Sequence, residues 1–122
     1  MRNIPIQENI SVIIPTYNFA SVTRKTLCAV ISQSLAPQEV IIIDSTESNK
    51  IRDLVNEIES KIKIIYTKSE KILFPGEARN EGVRLSNFEW LAFLDSKTVP
   101  DKNWLKNNIN LIIEKKADVV FG

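Results

Sequence analysis

The chain has 122 residues, 43% hydrophobic and 25% charged, which suffices for one domain with a real core but not for two. Sixteen basic against 15 acidic residues, with no long basic run, give no footprint for nucleic acid. A single cysteine and no histidine exclude an intrachain disulfide, a Ser-His-Asp triad and a His-based zinc site.

In chain order, the N-terminal MRNIPIQENI is polar and lacks the apolar stretch of a signal peptide. Ser11–Pro15 (SVIIP) reads as a buried strand. Val22–Leu35 follows as a helix, with Leu27, Val30, Ile31 and Leu35 near helical spacing and Ser21 as its expected cap. Cys28 lies in this apolar helix and is expected to be a buried, inert thiol. Glu39–Asp44 (EVIIID) is a second strand. Ser48 is placed to cap a second helix whose Ile51, Leu54, Val55 and Ile58 fall at i, i+3, i+4 and i+7. Lys61–Thr67 alternates and predicts a third strand; the polar Lys68–Gly76 leads into a short helix around Glu77–Ser86. Trp90–Asp95 (WLAFLD) predicts a fourth strand. Pro100 and Asp101 are expected to open a fourth helix with Leu105, Ile109 and Ile112 on one face, and Trp90 and Trp104 are assigned to core packing. Ala117–Gly122 (ADVVFG) starts a fifth strand.

The order βαβαβαβαβ predicts an α/β fold: a Rossmann-like, mostly parallel sheet with helices on both faces and the first strand internal. Because the chain stops on a fresh strand, residues 1–122 are expected to be part of a domain truncated after that strand, prone to self-association along its open flank. No apolar run approaches the ~20 residues of a membrane span. The expected location is cytoplasmic, with peripheral membrane attachment through a segment outside these residues as the alternative.

In an open parallel sheet, ligands bind at the carboxyl ends of the strands. This selects Pro15, Thr16, Tyr17 and Asn18 after the first strand, and Asp44, Ser45, Thr46 and Glu47 after the second. It also selects Lys68–Gly76 leading to Arg79 and Asn80, and Asp95, Ser96, Lys97 and Thr98 after the fourth. Asp44 could accept hydrogen bonds from a base or ribose, Tyr17 could stack on a base, Arg79 could fork onto phosphate and Asp95 could hold a hard cation. Plain structural roles stand beside each: Asp44 capping a turn, Tyr17 packing at a strand end, Arg79 in a surface ion pair. With glycine only at 76, 82 and 122, neither GxGxxG nor GxxxxGK[ST] occurs, which disfavours dehydrogenase and P-loop readings.

Four segments in order carry a resemblance: SVIIPTYN (Ser11–Asn18), LCAVISQSLAPQEVIIIDS (Leu27–Ser45), GEARNEGVRLSNFEWLAFLDS (Gly76–Ser96) and TVPDKNWL (Thr98–Leu105). Together they resemble the nucleotide-sugar-binding part of family 2 glycosyltransferases, of GT-A fold. The resemblance implies transfer of a sugar from a nucleoside-diphosphate donor to an acceptor hydroxyl, with these residues supplying the donor-binding half. It implies that Pro15, Thr16 and Tyr17, with Asn18, line the base and ribose pocket, that Asp44, with Ser45, meets the base, and that Arg79, with Asn80, lies near base or diphosphate. Asp95 would be the first acid of the DXD motif, near ribose and a Mg²⁺ or Mn²⁺ ion. The acceptor (glycan or lipid) and the catalytic base belong to a second half outside these residues, so the isolated chain is expected to be inactive. Ser45 stands where the family often has a second acid, Thr46-Glu47-Ser48-Asn49 replaces the usual Gly-Ser-Thr-Asp tail, and Lys97 replaces the final DXD acid. Lys97 is therefore expected to offer a positive charge to the diphosphate in place of a metal, leaving Asp95 for a ribose hydroxyl or for pairing with Lys97; the alternative is a Lys97 that points into solvent at a dead site. The alternatives are a degenerate domain of the same fold that binds without catalysis, and a flavodoxin-like signalling or interaction module.

Overall fold

A computed structural model describes residues 4–118. After a 3-10 turn at Ile6–Glu8, the elements are β1 (Ile10–Thr16), α1 (Ala20–Ile31), β2 (Glu39–Asp44), α2 (Lys50–Glu57), β3 (Lys63–Lys68), α3 (Pro75–Leu85), β4 (Trp90–Phe93) and α4 (Trp104–Lys115). The strands form one parallel sheet in the order β3-β2-β1-β4, with β1 internal as expected. The fifth strand expected over Ala117–Gly122 falls on residues 119–122, which lie outside the described residues; Ala117 and Asp118 themselves are not in a strand.

Strand alternation divides the core in two. Val12 and Ile14 of β1 and Val40 and Ile42 of β2 point to one face, where they pack with Leu27 and Val30 of α1, Ile51, Leu54 and Val55 of α2, and Leu105 and Ile109 of α4. Ile13, Ile41 and Ile43 point to the other face and meet Ala78 of α3. Both faces of β1 and β2 are thus covered, which is why these strands read as unbroken Val/Ile runs. Trp90 and Trp104 pack against the larger cluster.

Several boundaries differ from the sequence reading. The chain turns into α1 through Asn18 and Phe19, both left-handed at φ 60° and 56°, so Phe19 and not Ser21 is the N-cap. Helix α1 ends at Ile31, short of Leu35, where the Ser32 amide donates to the Cys28 and Val30 carbonyls. Cys28 is exposed, a correction: Thr23, Thr26, Leu27 and Val30 occupy the inward stripe, and Cys28 is one step of the helix away from it. Asn49 and not Ser48 precedes α2, and it makes no side-chain cap bond. Pro75, at the first position of α3, starts that helix two residues before Glu77, whose carboxylate accepts from the Phe74 amide at 3.1 Å. Helix α4 begins at Trp104, because Asp101 is spent on a turn: its carbonyl accepts from Trp104 N and its carboxylate from Asn103 N.

Candidate functional site

Parallel pairing in register brings three strand ends side by side: Thr16 opposite Asp44, and Asp44 opposite Lys68. Asp44 is fully buried there. Such a carboxylate is costly unless it is paired. Asp44 Oδ1 accepts from Thr16 Oγ1 at 3.0 Å and from the Thr46 amide at 2.9 Å, and Oδ2 accepts from the Tyr66 phenol at 2.6 Å. Burial, then the hydrogen bond and charge of Asp44, push the Tyr66 phenol above its ordinary range, so Tyr66 stays a donor. Asp44 therefore laces β1, β2 and β3 together. Three donors thus occupy three of the about four acceptor sites of a carboxylate that is itself fully buried. In the sequence Tyr66 is only one position of an alternating strand; its role depends on register, which no local pattern carries.

Above this brace lies a cleft of about 650 Å³ lined by Tyr17, Asn18, Ser45, Thr46, Glu47, by Lys68 at the end of β3 and by residues 69–72 of the loop that follows it. Tyr17 is 46% exposed. The Asn18 amide donates to Thr46 Oγ1 at 2.7 Å, joining the first two loops, and Ser45 Oγ accepts from the Leu73 amide at 3.2 Å, joining the second to the third. Lys68 Nζ donates to the Glu47 and Ser48 carbonyls and to Asn49 Oδ1, so its charge holds the β2–α2 connection. The arrangement presents an aromatic face, loop hydroxyls and exposed Glu47, Glu70 and Lys71, suited to a flat heterocycle with polar edges. Pro15, half-buried, and Thr16, buried, support the cleft from within β1 without lining it.

Asp95 and Lys97 lie on the other side of β1, after β4. The Asp95 carbonyl accepts from Thr98 N at 3.0 Å and Asp95 Oδ1 accepts from Lys97 N at 2.8 Å, closing a tight turn. The buried Thr26 hydroxyl of α1 lies 2.8 Å from the Ser96 carbonyl and 3.0 Å from that of Thr98, anchoring the turn to the helix. Lys97 Nζ sits 4.5 Å from the centroid of the Phe19 ring, a contact worth about 0.5–1 kcal/mol at an exposed position. The chain segment Tyr17–Phe19 thus bridges the cleft and the β4 turn.

Arg79 and Asn80 are not brought to the cleft. Both are exposed on α3, on the opposite face of the sheet from α1, and Arg79 borders a separate cavity of about 640 Å³ with Trp90, Phe93, Trp104 and Ile109. For a divalent cation the donor set is poor: among the described residues no three acidic or cysteine side chains gather. Asp95 stands without a second acid, one of its oxygens is used by the turn, and the neighbouring position carries an ammonium. The residues present do not fit a protein-held Mg²⁺ or Mn²⁺.

The parallel sheet, its two-sided helical cover and a polar cleft at the carboxyl edge define a Rossmann-like α/β domain. Residues 11–122 match the family described as Glycosyl transferase family 2, and the chain belongs to that family. It is 30% identical over 109 residues to the chondroitin synthase of Escherichia coli, covering 88% of this chain and 16% of that protein. Its fold is similar to that of S. aureus TarS 1-349 in complex with UDP, with a TM-score of 0.78 and 26% identity over 90% of this chain and 33% of that one. It also shares the fold of the mannosyltransferase PcManGT from Pyrobaculum calidifontis, solved with GDP-Man and Mn²⁺ (TM-score 0.77, 22% identity, 88% of this chain and 33% of that one). The chain therefore spans well under half the length of these relatives. No helix among the described residues is long and apolar enough to cross a membrane.

Proposed function

We propose that this chain is the donor-binding half of a glycosyltransferase and holds a nucleoside-diphosphate sugar, whose sugar passes to an acceptor hydroxyl. The observation that carries the reading is the cleft between the β1, β2 and β3 loops, with the Tyr17 ring at its wall and the Asp44 brace beneath it. Family membership and the UDP complex of the TarS relative support the same ligand class. Tyr17 stacks on the base, and Asn18, Ser45, Thr46 and Glu47 supply hydrogen-bonding groups at its edge. Asp44 keeps the three loops in register, and the free oxygen of Asp95 accepts from a ribose hydroxyl. In the reaction, the acceptor oxygen bonds to the anomeric carbon, the carbon–oxygen bond to the diphosphate breaks, and a base takes the acceptor proton. That base and the acceptor site are assigned to residues outside this chain, so the chain alone binds donor without transferring it. A cytoplasmic location suits this reading.

A second reading, a domain of this family that binds a nucleotide without catalysis, is favoured by one observation: Lys97 stands in place of the last acid of the motif. Calorimetric titration with UDP and GDP tests the donor site itself. One of the two is expected to bind, and Tyr17→Ala is expected to weaken it about tenfold through lost stacking. Failure of both nucleotides to bind, or an unchanged affinity in Tyr17→Ala, would overturn the assignment.

A further inference from the structure

We propose that Lys97, and not a protein-bound divalent cation, neutralises the diphosphate of the donor; this deepens the donor-site reading and rests on it. The backbone of the β4 turn is fixed on three sides. Asp95 Oδ1 accepts from the Lys97 amide, Thr98 N donates to the Asp95 carbonyl, and Thr26 Oγ1 lies within hydrogen-bond distance of the Ser96 and Thr98 carbonyls. Since Thr26 is wholly buried in α1, the turn cannot drift, and the Lys97 side chain leaves it from a defined point.

Its ammonium lies over the ring of Phe19, 57% exposed, in the loop that also carries Tyr17 and Asn18 into the cleft. The ammonium has three N–H donors and no acceptor. Among the described residues no carboxylate lies within ion-pair distance of it. Of the other cations that line the cleft, Lys68 is already committed to the Glu47 and Ser48 carbonyls and Lys71 pairs with Glu77 at 3.8 Å. Lys97 is therefore a fixed, unneutralised positive charge one loop away from the base site, resting on a weak contact that an anion readily replaces.

A divalent ion at the same place meets unfavourable conditions. Asp95 is the sole carboxylate of its turn, half of it faces the Lys97 amide, and like charges repel the ammonium from any ion it would hold. Beside a diphosphate the sign reverses, and the ammonium forms charge-assisted hydrogen bonds with phosphate oxygens.

The test is calorimetric titration of the chain with UDP and with uridine, in EDTA and in Mn²⁺, for the native sequence, Lys97→Ala and Lys97→Asp. The native chain is expected to bind UDP equally well in EDTA and Mn²⁺. Lys97→Ala is expected to weaken UDP about tenfold while leaving uridine unchanged, since only the phosphate contact is lost. Lys97→Asp is expected to bind UDP weakly in EDTA and to regain affinity in Mn²⁺. Thermal midpoints matching the native chain check that both variants fold. Native UDP binding that collapses in EDTA and returns with Mn²⁺ overturns the inference while leaving the donor site standing. So does Lys97→Ala weakening uridine as much as UDP, which would make Lys97 a structural residue. Where the site takes GDP instead, GDP and guanosine replace UDP and uridine in the same comparison; no binding of any of the four under any condition overturns the donor-site reading and this inference together.

Discussion

Gly82 sets how closely α3 lies on the sheet. A Cβ built on it collides with the Ile13 side chain, which is wholly buried in the middle of β1. The residue it would strike is β-branched and packed in the layer between the sheet and α3, so it has little freedom to move aside. Gly82→Ala gains about 1 kcal/mol of helix propensity but incurs overpacking of about 1–3 kcal/mol. Net destabilisation is expected, seen as a lower urea midpoint at unchanged m-value. Gly76 offers the contrast. A Cβ there meets nothing within 4 Å, so Gly76→Ala should be neutral or mildly stabilising in the same assay.

Between elements, buried polar side chains tie strand and helix ends that are far apart in sequence. At the opposite end of β2 from Asp44, Glu39 is fully buried. It accepts from Ser11 Oγ at 2.7 Å, from the Asn87 amide at 2.7 Å and from Asn87 Nδ2 at 2.9 Å. Burial raises the Glu39 carboxyl pKa, but the Asn87 and Ser11 hydrogen bonds and the Lys63 charge together outweigh it, and the net shift is downward. A carboxyl with a lowered folded pKa binds its proton less tightly when folded. The stability it contributes is therefore complete above its unfolded pKa of about 4.3 and is lost as the pH falls through the folded value. Glu39→Gln is expected to lower stability at neutral pH by about 1–3 kcal/mol and to flatten the loss of stability below about pH 4. Urea unfolding across that range checks it; equal acid slopes in native and variant would show that Glu39 is not the group responsible.

Across the whole molecule, β1 is the axis of the topology. The chain adds β2 and β3 on one side, then crosses to place β4 on the other, so the loops after β1 stand between the cleft and the Lys97 turn. Among the described residues β4 has no neighbour on its outer side, and beside it lies the apolar cavity of Trp90, Phe93, Trp104 and Ile109. An open edge next to apolar surface favours pairing with another chain. Sedimentation velocity is expected to show association of the 122-residue chain rising with concentration and reduced in Phe93→Lys, whose side chain is 43% exposed there. A single monomeric species at all concentrations would contradict it.

The sequence by itself determined the parallel α/β architecture, the internal place of β1 and the edge on which polar residues gather. Each follows from local pattern: continuous Val/Ile runs demand cover on both faces, helical stretches between them supply it, and parallel pairing sends every strand end to one side. What only the tertiary structure decided are the roles of individual polar groups. Asp44 reads as a ligand-facing acid at a strand end; register sets the Tyr66 phenol and the Thr16 hydroxyl against it and adds a bracing role that no local pattern carries. Arg79 stands in a family-like segment, yet the face of α3 on which it falls turns it toward the β4 cavity. The start of α4 is capped by Gln33, whose Oε1 accepts from the Leu105 amide 72 residues away, where a local reading looks to Pro100 and Asp101. Hydrophobic period is a property of a few consecutive residues. The partner of a buried hydrogen-bonding group is chosen by register and crossing geometry, which exist only once the chain has folded.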